Sequence, residues 1–115
     1  MIYSNRTAWQ VVFVSKRAKK EIDELPHDMR VHFDGIVGLI QDNGIDDVHE
    51  PYIKHLSGKL WEMRLRGKSG IARTIYLIAS ERRVVVLHTF IKKTQKTPQD
   101  SIELAFRRAI EGGWL

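Results

Sequence analysis

The segment His88-Thr-Phe-Ile-Lys-Lys-Thr-Gln-Lys-Thr-Pro98 decides the fold, because a β-rich run ends in it and a helix begins at its end. The run Val84–Ile91 is continuously apolar and β-branched, which predicts a strand in the centre of a sheet. Thr97 followed by Pro98 is typical of a helix start, with Thr97 as the N-cap. Apolar residues then recur at helical spacing from Ile102 to Ile110. The segment therefore joins a central strand to a C-terminal helix.

Two further strands are predicted immediately before this run. Residues Lys59–Arg66 alternate, so that Glu62, Arg64 and Arg66 face one way and the apolar residues between them face the other. Residues 67–70 are a hairpin turn with glycine at both ends, and the strand Ile71–Ala79 follows. Three adjacent antiparallel strands result.

The N-terminal half predicts one strand and two helices. Ala8–Val14 is aromatic and β-branched, Ser15 is suited to cap a short helix, and Pro26 begins a longer helix that stops at Asn43-Gly44. Residues 45–58 are interpreted as an irregular connection. The predicted class is α+β, a small sheet with helices packed on it, in the order strand, helix, helix, three antiparallel strands and C-terminal helix. At 115 residues the chain, residues 1–115, is expected to be a single domain.

The composition indicates the cellular compartment in which the protein is expected. There is no run of about 18 apolar residues and no basic-then-apolar stretch near the start, so we expect neither a membrane span nor a secretory signal. The chain has no cysteine, which is in keeping with the reducing cytoplasm and excludes disulfides and thiolate metal sites. A cytoplasmic protein is expected.

Positive charge is concentrated in one window. Residues 54–96 contain eleven Lys or Arg against two acids, Glu62 and Glu81, which leaves +9 in a chain whose total is +5. The rest of the chain therefore sums to −4. Such asymmetry indicates a surface that binds a polyanion such as nucleic acid, or an acidic protein partner.

Three pieces within or next to this window resemble a known family: Lys54-His-Leu-Ser-Gly-Lys-Leu-Trp-Glu-Met-Arg64, Ala72-Arg-Thr-Ile-Tyr76 and Leu87-His-Thr-Phe-Ile-Lys-Lys-Thr-Gln-Lys-Thr-Pro98. In these residues and in the order of elements the chain resembles the phage-derived Gp49-like, HigB-type toxins of the RelE/ParE superfamily. The resemblance implies a RelE-like fold and a ribosome-dependent endoribonuclease that cuts translated mRNA in the A site. It also implies a neutralising antitoxin, commonly a helix-turn-helix protein. Neither a cofactor nor a metal is expected.

The resemblance implies cationic catalytic residues at the positions of Arg64 and Arg73 and a basic strand end at Lys92, Lys93 and Lys96, and the chemistry of RNA cleavage by its own 2′-hydroxyl indicates what such groups can do. That reaction needs a base, stabilisation of charge on the phosphorane and a proton for the leaving 5′-oxygen. Guanidinium groups suit the phosphorane, and a lysine among other cations has a lowered pKa suited to proton transfer. The predicted catalytic residues are Arg64, Arg73, Lys92, Lys93 and His88. The predicted RNA-binding residues are Arg66, Lys68, Lys96 and Lys59.

Several of these residues have a structural alternative. Arg73 can bridge to Glu62 across the hairpin, His88 can be a hydrogen-bonded core histidine, and Tyr76, a further titratable candidate, can be a core residue. Strand alternation places Arg73 and Tyr76 on opposite faces unless a bulge intervenes. RelE-type enzymes also carry a catalytic tyrosine shortly after the basic strand end, and residues 97–102 here contain none.

Two other functions remain open. A non-catalytic toxin of the ParE branch poisons a protein target, DNA gyrase, and a basic RNA-binding module without toxicity would share the same positive face. Basic residues by themselves establish only affinity for polyanions.

Overall fold

The computed structural model describes residues 8–49 and 52–115. Its strands are β1 Gln10–Phe13, β2 Ile53–Ser57, β3 Leu60–Gly67, β4 Gly70–Ala79 and β5 Arg83–Ile91, and its helices are α1 Lys16–Asp23, α2 His27–Asn43 and α3 Gln99–Glu111. A 3-10 turn, Ile45–Asp47, follows α2. The predicted α+β class is confirmed, and so is the predicted order of elements, to which the structure adds the strand β2.

The strands form one sheet in the order β1-β5-β4-β3-β2. The pairs β2–β3, β3–β4 and β4–β5 are antiparallel, whereas β1 pairs with β5 in parallel. β5 is therefore an interior strand, as its continuous apolar sequence predicted. Parallel pairing of β1 with β5 requires a crossover connection. The chain between these two strands, which contains α1, α2 and then β2, β3 and β4, provides it.

The interpretation of residues 45–58 as wholly irregular was wrong, because they contain the 3-10 turn and β2. The sequence Ile-Lys-His-Leu-Ser of β2 is short and mostly exposed. It becomes a strand because β3 offers it a partner at the edge of the sheet, where Ile53 pairs with Met63 and Lys54 with Glu62. Short, polar strands of this kind are typical of sheet edges.

One face of the sheet is covered by α1 and α2. Their apolar stripes, including Ile22, Phe33 and Ile36, pack on strand residues such as Met63 and Tyr76 in one buried cluster. Ser15 caps α1 as predicted, with its hydroxyl accepting from the backbone N–H of Ala18 at 3.2 Å. This face is the larger core.

The other face is covered only in part, by α3. Ala105 and Ala109 of α3 pack on Ile75, Leu77 and other residues toward the β4–β5 turn. The remainder of this face lies toward the β3–β4 turn, and it carries the charged residues of β3 and β4. In this polar half-face beside α3, Glu62 and Arg73 are bonded to Thr97 and Gln95 of the segment after β5.

A bulge interrupts the ladder between β4 and β5. Ile75 pairs with His88 but Tyr76 pairs with Val86, so β5 accommodates one extra residue, Leu87. The extra residue lies in β5, so alternation along β4 is unbroken. Tyr76 is buried on the α1–α2 side, opposite Arg73, in keeping with strand alternation. The two residues do not share a site.

Candidate nucleic-acid interface

A buried carboxylate, Glu62, lies on this polar half-face. It projects from β3 toward the α3 side and is 0% exposed. The Nη1 atom of Arg73 lies 3.2 Å from each of its oxygens. Arg64 and Arg73 are register partners on β3 and β4, so both guanidinium groups flank this one carboxylate. A buried charge requires such partners, because desolvation without them is costly.

Arg73 is itself buried, at 2% exposure, and it ties the lysine-rich segment after β5 to the sheet. Its Nη1 donates to the Thr97 hydroxyl, and its Nη2 donates to the Gln95 carbonyl at 2.7 Å. The Thr97 hydroxyl in turn donates to Glu62 Oε2 at 2.6 Å. These contacts match the structural alternative for Arg73, a bridge to Glu62, and leave little of its surface for a substrate.

The role predicted for Thr97 as the N-cap of α3 was wrong. The cap position is Pro98, which makes no side-chain capping hydrogen bond, and α3 begins at Gln99. The Thr97 hydroxyl bonds to Glu62 instead. A buried carboxylate accepts a stronger hydrogen bond than a helix terminus exposed to water offers, so the tertiary contact prevails.

Arg64 is the accessible guanidinium of the pair. Its side chain is 26% exposed, and its Nε lies 4.0 Å from Glu62 Oε1. Within residues 8–49 and 52–115 no acceptor bonds to this buried Nε. Arg64 is therefore held near an anion but keeps unused donors, which is what a phosphate ligand requires.

Lys92 adds an amine to this pair of guanidiniums. It follows β5, and its backbone N–H donates to the Ile71 carbonyl at 2.7 Å. Desolvation, together with the positive charges of Arg73 and Arg64, lowers the pKa of Lys92 below its ordinary value, although Glu62 opposes the shift. Its side chain borders an open cleft of about 460 Å³ whose other lining residues are Gly70, Ile71, Lys93, Thr94 and Gln95.

The β3–β4 turn carries two further cations, Arg66 and Lys68, and is fixed to the start of α2. The backbone N–H of Arg66 donates to His32 Nδ1 at 2.7 Å, and that of Lys68 donates to Asp28 Oδ2 at 2.5 Å. Desolvation and the charge of Arg66 lower the pKa of His32, which favours the neutral ring that can accept this hydrogen bond. Both cationic side chains are exposed at the rim of the site.

His88 lies in a different charge cluster. Its Nδ1 is 3.0 Å from Oε1 of Glu21 on α1, and its ring stacks on Phe90 at 5.3 Å. Arg108 of α3 donates to both Glu21 oxygens, at 2.9 and 3.0 Å, and to the Leu87 carbonyl. The Thr89 N–H also donates to Glu21. Burial favours a higher pKa for Glu21, but the hydrogen bonds from His88, Arg108 and Thr89 outweigh it and lower the pKa to about 2.

Comparison with known proteins places this chain in a family. A chain of the archaeal RelE–RelB complex from Pyrococcus horikoshii OT3 has a similar structure, with a TM-score of 0.52 and 19% sequence identity over 73% of this chain and 94% of that one. No curated protein sequence matches. The model of the family described as phage derived protein Gp49-like matches residues 20–109. The chain belongs to this Gp49-like family. It is a family of RelE/HigB-type toxins.

The remaining predicted cations of this Gp49-like protein are divided between the two ends of the sheet. Lys93 and Lys96 are exposed in the segment that Arg73 fastens, so they lie beside Lys92. Lys59 precedes β3 at the opposite end of the hairpin, where it borders a cleft with Ser80, Arg83 and Trp114. The structure thus gathers Arg64, Lys92, Lys93, Arg66, Lys68 and Lys96 around buried Arg73, and it separates Lys59 and His88 from them.

Sequence reasoning considered Glu62 only as a cross-strand partner of Arg73, yet the cations of the candidate site surround it. A signal was available, because Glu62 and Glu81 are the only acids among eleven cations in residues 54–96. An acid that projects from the same strand face as the cations is expected to be their counter-ion. Its burial, however, depends on Thr97 and the segment after β5, which sequence periodicity does not reveal.

The described residues form neither a metal-binding group nor a membrane-spanning helix. Among the described residues no group of three or more His, Cys, Asp or Glu side chains is placed to hold a metal ion. No helix formed by residues 8–49 or 52–115 has the length and apolar character that a membrane crossing requires.

Proposed function

We propose that this Gp49-like protein is the toxin of a type II toxin–antitoxin system, and that it inhibits translation by cutting mRNA on the ribosome as a metal-independent endoribonuclease. The observation that carries the proposal is the Arg64–Lys92 pair. Arg64 is a guanidinium with unused donors, and Lys92, which interacts electrostatically with it, is an amine with a lowered pKa that borders an open cleft. A scissile phosphate in that cleft would meet a charge-stabilising group and a proton-transfer group together.

The chemistry assigns each group one task. The 2′-hydroxyl oxygen attacks the adjacent phosphorus while a base removes its proton, and the resulting pentacoordinate phosphorane carries extra negative charge. Arg64 donates hydrogen bonds to two of its equatorial oxygens. Cleavage of the bond from phosphorus to the 5′-oxygen leaves a 2′,3′-cyclic phosphate, and the Lys92 ammonium donates the proton that the 5′-oxygen needs.

The surrounding cations bind the RNA backbone. Arg66 and Lys68 extend the positive surface along the β3–β4 turn, and Lys93 and Lys96 extend it on the other side of the cleft. Contacts with phosphates of this kind fix the register of the RNA and make binding sensitive to salt. Arg73 holds the lysine segment in place and does not touch the RNA.

An antitoxin is the expected protein partner. The archaeal RelE–RelB structure is a complex, and a protein lethal to its host's translation requires an inhibitor in the same compartment, the cytoplasm. We expect an antitoxin segment that is acidic and covers the positive window, or that excludes RNA sterically.

Stopped-flow association at several ionic strengths tests whether the antitoxin segment is acidic. The on-rate should then fall as salt rises, because screening acts over about 10 Å at 0.1 M. A salt-insensitive on-rate with a complex that still binds ribosomes contradicts both alternatives.

The decisive experiment is induced expression followed by mapping of mRNA 5′ ends. New ends within translated codons are expected from the wild type, and Arg64→Ala should reduce them by about 10²-fold or more. Arg83→Ala is the matched control, since Arg83 has a similarly exposed side chain, 30%, at the far end of the sheet. It should cut at the wild-type rate.

Two outcomes would contradict the proposal. Intact mRNA accompanied by gyrase-linked DNA damage would favour poisoning of a protein target instead. RNA binding without cleavage or growth arrest would leave a basic RNA-binding module.

A further inference from the structure

Three buried atoms of the site make no hydrogen bond to any of the residues placed between 8 and 49 or 52 and 115, and these are Arg73 Nε, Arg64 Nε and Glu62 Oε1. Glu62 Oε1 is nevertheless in ion-pair contact with Arg73 Nη1, at 3.2 Å. The relevant pair of atoms is Glu62 Oε1 and Arg64 Nε. They lie 4.0 Å apart, a carboxylate oxygen and a guanidinium N–H of opposite charge. Unsatisfied buried groups are rare in proteins and require an explanation. Here the two would satisfy each other after an approach of about 1 Å.

Glu62 is the fixed member of this pair. Its other oxygen, Oε2, accepts from Thr97 at 2.6 Å and from Arg73 at 3.2 Å. Arg73 is anchored in turn by the Gln95 carbonyl. The carboxylate therefore cannot turn toward Arg64 without losing bonds that hold the lysine segment. Arg64 Nε makes no hydrogen bond within the described residues, so the Arg64 guanidinium can shift without breaking one there.

Like charges oppose the approach while the cleft lacks an anion. Arg64 lies beside Arg73, and Lys92 interacts electrostatically with both. A phosphate in the cleft neutralises part of this positive charge. Arg64 can then move toward Glu62 with less repulsion from its neighbours.

The shape of the guanidinium makes this movement useful. The group is planar, so a hydrogen bond from Nε–H to a fixed acceptor also fixes the directions of the two terminal nitrogens. We propose that Glu62 is a positioning residue, which accepts a hydrogen bond from Arg64 Nε when phosphate binds and so aims the terminal nitrogens at the phosphate oxygens. The inference rests on the proposed role of Arg64 as the phosphate-binding group.

Nitrogen-15 NMR of the arginine side chains tests this directly. Inorganic phosphate and a 2′-O-methylated RNA oligonucleotide, which the mechanism cannot cleave, are titrated into the full chain, and the Arg64 Nε–H signal is assigned with Arg64→Lys. At saturation we expect this signal to move downfield and its exchange with water to slow at least several-fold. In Glu62→Gln, where the acceptor is neutral, the shift should be lost and phosphate affinity should fall about 10-fold.

Coupling between the two residues separates positioning from a general structural role. If Glu62 acts through Arg64, Glu62→Gln should weaken phosphate binding in the wild type but not further in Arg64→Lys. Additive losses, or an unshifted Nε–H in the saturated wild type, would overturn the inference. The wild-type titration decides even if Glu62→Gln does not fold.

These measurements do not depend on cleavage. A chain that binds phosphate with the Nε–H shift but never cuts mRNA would overturn the proposed nuclease and leave the positioning role of Glu62 in place. A chain that cuts mRNA with an unshifted Nε–H would overturn the positioning role alone.

Discussion

Glu21 and Glu62 are both carboxylates held by cations, yet they have different surroundings. Glu21 joins α1, β5 and α3, and its two oxygens accept from Arg108, His88 and the Thr89 N–H. Glu62 joins β3, β4 and the segment before α3, but one of its oxygens lacks a hydrogen bond from the described part of the chain, and Arg64 stands beside it with spare donors.

The difference separates a structural cluster from a candidate site. In the Glu21 cluster the hydrogen-bonding capacity is used within the protein, which stabilises the junction of three elements. In the Glu62 cluster cations exceed acids and donors remain unused, so a ligand can complete the set. Four changes, in decreasing order of their expected effect on the free energy of unfolding, test this comparison.

Arg73→Ala should have the largest effect, a loss of about 3–5 kcal/mol, because it leaves Glu62 buried with its main cationic partner removed. Urea unfolding measures it. Arg64→Ala is the matched control, since it removes the register partner of Arg73 on the exposed side, and it should cost at most about 1 kcal/mol. Equal losses in the two variants would mean that the guanidiniums are not divided into a buried and an accessible member.

Glu21 should make the free energy of unfolding depend on pH. Its folded pKa of about 2 lies below the ordinary value of 4.5, so its contribution is complete above about pH 4.5 and is lost as pH falls toward 2. A shift of this size corresponds to about 3 kcal/mol. Unfolding measured between pH 7 and pH 2 should show the loss in the wild type, and Glu21→Gln should be less stable at neutral pH with a flatter profile. Asp23→Asn, on the same helix but exposed, should retain the wild-type profile.

His88→Gln asks whether the histidine of the Glu21 cluster takes part in the reaction. An amide can still donate to Glu21 but cannot transfer protons near neutral pH, so we expect a stability loss of about 1 kcal/mol and an unchanged cleavage rate per folded molecule. Thermal melts and 5′-end mapping measure the two effects. A stable variant that no longer cleaves mRNA would indicate that His88 is a catalytic residue.

Substituting Lys92 and Lys93 together by Ala should have the smallest effect on stability and a large one on toxicity. Lys93 is exposed and Lys92 is only half-buried in the segment after β5, and the backbone contact of Lys92 with Ile71 does not involve its side chain. We expect an unchanged melting curve and loss of growth arrest on induction. A well-folded double variant that remains fully toxic would remove these lysines from the site.

The sequence by itself determined the class of the fold and the positive charge of the candidate site. Alternation in Lys59–Arg66, the apolar run of β5 and the turn residues between strands predicted the hairpins, because these signals are local and repeat at the period of a strand. The same alternation placed Glu62, Arg64 and Arg66 on one face. The resemblance to Gp49-like toxins, carried by short motifs in the same segments, was confirmed by the match over residues 20–109.

Only the tertiary structure decided which charges are buried and which are available. Edge strand β2 forms because β3 offers it backbone partners, and its own sequence carries too weak a pattern to predict it. Arg64 and Arg73 look equivalent in sequence, and one is buried only because Gln95 and Thr97 fold back over it from 22 and 24 residues away. Glu21 reaches His88 and Arg108 across 67 and 87 residues. Such contacts depend on how elements pack, and periodicity within a segment carries no information about them.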